Sequence, residues 1–276
     1  MQSEPARPHN PEAVRNTLFA KCKWWLGIAL SLKAAVFVGG ALTILLSVGS
    51  GFAPIVIGLV AAASELAMWR SDWVKGIAET LHRKLDLEDS FGWRITNADL
   101  RDLLARIDID LSDLAEPTEA NYFASKSPPS DQRALENLQE SAWWSKHLAE
   151  SMWKICLGAI CALIVGCILL LLTSVHAVKD QAVLSEVGKV VTSAILLIFS
   201  LSLLRFTVGY FLFSKKAEKA EERAKTLVAT SSVGNIEAIK LWQEYQLARA
   251  SAPLVPTRIW KLREKRLNAL WRDYRN

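Results

Sequence analysis

The sequence has little of what staples a chain or does chemistry. Four cysteines in 276 residues are too few for a disulfide framework. Three of them, Cys156, Cys161 and Cys167, fall inside one apolar run, where they read as small hydrophobes. The four histidines (His9, His82, His147 and His176) are scattered, and no Cys/His pair has zinc-ligand spacing. GxGxxG, GxxxxGKS/T and GxSxG are all missing. No enzymatic activity and no cofactor are therefore expected. Alternating strand patterns are also missing, which points to an all-α chain.

One acidic run tests the calcium alternative. Asp108, Asp110, Ser112, Glu116 and Glu119 match loop positions 1, 3, 5, 9 and 12. Position 6 is Asp113 rather than glycine, and Pro117 sits where the loop should enter a helix. The run reads as a solvated linker, and no metal is expected.

The chain is 51% hydrophobic and 22% charged, close to a soluble average. The distribution is what departs from that average. Residues 155–173 hold no charge, 190–213 only Arg205, 26–47 only Lys33, and 52–69 only Glu65. A bilayer core needs about 20 apolar residues per helix. These four runs therefore predict two membrane hairpins, 26–69 and 155–213, with a turn at Ser47–Gly51 in the first. The competing reading is a soluble core of four buried helices, which would have to hide an uncharged run like 155–173 in a chain of this size.

Orientation follows from lysine and arginine near the span ends. Arg15, Lys21 and Lys23 precede the first run, and Arg70 and Lys75 follow the second. Lys146 and Lys154 precede the third, and Lys215, Lys216 and Lys219 follow the fourth. Both termini and the 70–154 region are accordingly expected in the cytoplasm of a multi-pass inner-membrane protein. Trp24, Trp25, Trp69, Trp73 and Trp153 fall at the same ends, at headgroup depth. The segment 1–25 begins polar and does not resemble a signal peptide.

Lys33, Glu65 and Arg205 are the ionisable residues inside the expected spans. Counted from the first turn, Lys33 and Glu65 lie within about 3 Å of the same depth. Arg205 falls roughly 13 Å from the cytoplasmic end. A Lys33–Glu65 or Glu65–Arg205 pair, snorkelling, or a ring of charge at a gate would each account for them. Ser193, Ser200 and Thr207 recur at heptad spacing, as a water-lining stripe or as helix-to-helix contacts. Gly158, Ala162 and Gly166, and Gly58 with Ala62, have the small-residue spacing that permits close helix contact.

Outside the spans the charge divides. Residues 70–154 carry 11 basic and 16 acidic side chains, and the basic tail 214–276 carries 14 and 7. The two regions are expected to face one another in one helical domain. Thr96 reads as the cap of a helix running to Ile107. Ser127-Pro128-Pro129-Ser130 breaks the chain before a helix from Asp131 into the third span. A helix is expected over 236–250. Pro253 and Pro256 then break the chain before a last helix capped by Thr257.

Two stretches carry a family likeness. One is Tyr122-Phe123-Ala124-Ser125-Lys126, through Arg133 to Glu140-Ser141-Ala142-Trp143-Trp144-Ser145. The other is Glu244-Tyr245, then Ala252-Pro253-Leu254-Val255-Pro256-Thr257 and Leu267-Asn268-Ala269-Leu270-Trp271. With its two-plus-two membrane plan, the sequence resembles the bacterial SMODS-associated four-transmembrane effectors. The resemblance implies a role in antiphage immunity, answering a cyclic oligonucleotide made by a partner nucleotidyltransferase and perturbing the inner membrane. A pore from four-span chains requires a homo-oligomer in the lipid bilayer. A non-conducting scaffold or sensor that docks a cytoplasmic partner is the alternative. DNA and RNA are not expected partners. Phosphates and bases call for cations and rings, which makes Tyr122, Lys126, Arg133, Arg249 and Arg258 the candidate ligand-binding residues. The competing role for each is to fasten cytoplasmic helices together.

Overall fold

The computed structural model describes residues 10–45, 52–107, 123–177, 185, 187–189, 191, 202–230 and 235–275. Their regular structure is helical throughout, with no strand among them. In chain order the helices are α1 (Pro11–Leu45), α2 (Ala53–Phe91), α3 (Asn97–Ala105), α4 (Asp131–Ala177), α5 (Leu203–Val228), α6 (Asn235–Ser251) and α7 (Thr257–Arg275). The turn expected at 47–51 and the acidic run from Asp108 to Glu119 lie outside the described residues.

Local chemistry sets the helix ends. Asn10 Oδ1 accepts from the Glu12 amide at 2.9 Å, and Pro11, whose missing N–H costs nothing at a first helical position, opens α1. Thr96 and Asp99 form a reciprocal capping box at α3. Ser130 Oγ accepts from the Arg133 amide at 3.3 Å, which starts α4 directly after the two prolines. Gly92 stops α2 with φ +74°, and an added Cβ there would stand 3.3 Å from Pro129 Cβ. The Thr257 expectation needs correction. Thr257 is the first residue of α7, and the Pro256 carbonyl takes the amides of Ile259 and Trp260.

The chain divides into two compact units. One comprises Met1–Lys23, Ser71–Ala149 and Leu212–Asn276, and the other Trp24–Arg70 and Glu150–Phe211. The core of the first unit joins α1 (Val14, Leu18, Cys22), α2 (Val74, Ile77, Ala78, Leu81) and α3 (Leu100, Leu103). The three- and four-residue spacings put each set on one helical face. Ser71 Oγ donates to the Cys22 carbonyl at 2.8 Å and ties α1 to α2. A second cluster packs Trp143 and Leu148 of α4 on Leu267 and Trp271 of α7.

The other unit is apolar on its outside. Its small core sets Ala29 of α1 on Ala67 and Met68 of α2. Phe52, Leu59, Leu66, Ile168, Leu169 and Leu172 are exposed. Two helices are long and apolar enough to cross a membrane, over Pro11–Gly40 and Asp131–Thr173. Their apolar windows are only 17% and 11% buried. A helix in the core of a soluble protein would be mostly buried, so these side chains suit an apolar surround. Gly158, Ala162, Gly166, Gly58 and Ala62 are exposed, and the close helix contact expected of them is not seen among the described residues.

Candidate functional site

The sequence-selected residues fall in several places. In the apolar unit, Lys33 Nζ donates to Glu65 Oε1 at 2.5 Å. The lysine side chain is 5% exposed and the carboxylate 68% exposed. The first of the two expected pairings is therefore the one formed. Arg205 is exposed on α5 and is not bonded to Glu65. Thr207 Oγ1 donates to the Leu203 carbonyl of its own helix at 2.8 Å. Ser193 and Ser200 lie outside the described residues, as does Tyr122.

In the first unit, Arg133 is engaged in holding the fold. It donates to Asp89 Oδ1 at 2.7 Å and also to the Ser127 carbonyl. Lys126 lines a cavity of about 600 Å³ with Glu136, Lys225, Trp271 and Tyr274. Arg258 is exposed near the start of α7. Arg249, at the end of α6, lines a different and larger cavity of about 710 Å³. The structure thus separates the candidate cations rather than gathering them.

The two stretches that carry the family likeness meet in this unit. Tyr245 is fully buried, and its hydroxyl lies 2.9 Å from Ser141 Oγ and 2.8 Å from Ser145 Oγ. These serines are one turn apart on α4, so both reach the same phenol. The Trp143 and Trp271 rings stand 5.1 Å apart. Glu140 accepts from the Ala124 amide at 2.9 Å, and Glu136 from Ser125 Oγ at 2.5 Å, which folds the first stretch back on α4.

The larger cavity is built from α1, α2, α4, α6, α7 and the 252–257 connection. Arg15, Lys23, Lys75 and Arg249 bring positive charge, against Glu79, Glu140 and Glu264. Arg249 Nε stands 3.8 Å from Glu79, and Arg249 Nη1 stands 3.5 Å from Asp86, which also accepts from Gln246 at 2.7 Å. This joins a cation of the basic tail to two carboxylates of the acidic region. Lys75 Nζ donates to the carbonyls of Ala250 and Ala252 at the end of α6, an acceptor-rich position. Burial lowers the Lys75 ammonium below its ordinary value, against the nearby Glu79 and Asp72. Lys23 Nζ donates to Thr257 Oγ1 at 3.3 Å.

His82 is the residue the sequence did not single out. It lies in the cavity wall, 3% exposed, and neither ring nitrogen has a hydrogen-bond partner. Its Nδ1 is 3.6 Å from Asp86 Oδ1, too long for a hydrogen bond. The pair is not an ion pair either. Burial, then the charges of Arg249 and Arg15, hold the imidazole well below its ordinary range, so it is neutral. Burial pushes the Asp86 carboxyl up to about 6, against the pull of Arg249 and Gln246.

Comparison with family models, with curated proteins and with solved structures finds no match. The chemistry of the site is therefore argued from its own residues. The cavity can seat a small molecule, place an anion beside cations, and lay rings against Trp144 and Trp260.

Proposed function

We propose that this chain is a membrane effector of bacterial antiphage signalling. In this reading four helices cross the inner membrane as hairpins 26–69 and 155–213. Both termini, the 70–154 region and the 214–276 tail are cytoplasmic. A cyclic oligonucleotide from a partner nucleotidyltransferase is the signal, and the response is a homo-oligomeric pore or a disrupted bilayer.

The observation that carries the membrane part is α4. Its apolar window reaches a mean hydropathy of 3.1 and is 11% buried. A soluble protein would have to cover that surface. The exposed indoles of Trp24 and Trp69 suit anchors at headgroup depth. The outward Gly158, Ala162 and Gly166 suit contact with another copy. The cytoplasmic signal is supported by the separate charged unit, and the antiphage role by the resemblance of the Tyr122–Ser145 and Glu244–Trp271 stretches.

The test is membrane potential in bacterial cells expressing the chain with and without a nucleotidyltransferase. Depolarisation confined to the pair is expected, with a changed response for Arg205→Ala. Ligand binding without leakage would instead make the chain a non-conducting sensor.

A further inference from the structure

Three features of the larger cavity converge on one ligand chemistry. Its volume of about 710 Å³ lies within the range of small-molecule sites. Lys23 and Lys75 extend their ammonium groups to neutral oxygens, the Thr257 hydroxyl and the Ala250 and Ala252 carbonyls. The neutral acceptor of Lys23 leaves its positive charge to act on an anion, and Lys75 adds to it while sharing its field with Glu79 and Asp72. Rings of Trp144 and Trp260 form part of the wall, offering faces to a planar system.

A purely apolar ligand would leave the ammonium groups unused, and a bare phosphate would leave the rings unused.

We propose that this cavity is a nucleotide-binding site, with Lys23 and Lys75 facing the phosphate and Trp144 and Trp260 flanking the base. Only the cyclic form of that nucleotide rests on the function proposed above. The remaining acidic wall residues are already engaged in part, Glu79 by Arg249 and Glu140 by the Ala124 amide.

Isothermal titration of the full-length chain in lipid nanodiscs is the test. The probes are cyclic triadenylate, cyclic di-AMP, AMP, adenosine and inorganic pyrophosphate. Binding of at least one phosphorylated adenine probe is expected, with adenosine and pyrophosphate each at least tenfold weaker. Lys23→Gln should weaken that probe about tenfold, the scale of one charge-assisted hydrogen bond, and leave adenosine unchanged. Trp260→Leu should weaken both. Lys23 and Trp260 lie outside the main core, and a melting curve confirms that each variant folds. The proposal is overturned if pyrophosphate binds as well as AMP, if no nucleotide binds at about 1 mM, or if folded variants bind like the parent. Nucleotide binding without depolarisation would overturn the effector reading and keep the site. Signal-dependent depolarisation with no binding in this cavity would do the reverse.

Discussion

Asp86 and His82 pull the stability of their unit in opposite directions as pH changes. Folded, Asp86 keeps its proton up to about pH 6, whereas the unfolded chain releases it near the ordinary 3.8. The native state therefore binds more protons between those values, and stability falls as pH rises through that window, by on the order of 3 kcal/mol. His82 is depressed instead. Its contribution is fully present above 6.5 and is lost as pH falls below it. Because His82 offsets this decline over the same window, Asp86→Asn should leave the His82 rise uncovered, so that the melting temperature of the detergent-solubilised chain climbs more steeply between pH 4 and 6 than in the parent. An unchanged profile would show that Asp86 does not titrate in this window. Tyr245→Phe removes the hydroxyl shared by Ser141 and Ser145 and should cost about 1–2 kcal/mol, measured by the same melts. No loss would mean that the two serines re-pair with their own helix.

At the scale of elements, the Thr96 cap and the break at Ser127–Ser130 are legible because their chemistry is local. Thr96 needs only Asp99, and Ser130 needs only the Arg133 amide, three residues away in each case. Thr96→Ala should remove about 1 kcal/mol from α3, seen as faster amide exchange over Leu100–Ala105. The α7 start differs from the expected Thr257 cap because the Pro256 carbonyl supplies the first acceptor and the Thr257 hydroxyl accepts from Lys23. Side-chain roles were less legible because their partners are distant in sequence. Arg133 reads as a candidate ligand cation until Asp89, 44 residues earlier, is brought beside it. His82 gave no signal at all, since Arg249 and the cavity wall reach it only through folding. The outward small-residue stripe of α4 makes a sharper prediction. Ala162→Leu should block close helix contact between copies and shift the detergent-solubilised chain toward monomer in native mass spectrometry. An unchanged oligomer would remove the stripe from the interface.

At the scale of the whole molecule, the charge pattern and the apolar pattern sort into different units. The charged unit has its own core, an interhelical Lys146–Glu221 ion pair also bonded by Tyr274, and a cavity with an unpaired imidazole. The apolar unit has a small core, outward hydrophobic side chains and a Lys33–Glu65 ion pair. The proposed function assigns ligand reception to the charged unit and the bilayer to the apolar one. The effector reading joins the two roles. Its central claim is tested most directly in liposomes carrying the purified chain and a trapped fluorescent dye. Addition of the cyclic oligonucleotide that binds the chain should release the dye, with no release from empty liposomes. Intact liposomes at a ligand concentration that saturates binding would contradict the account.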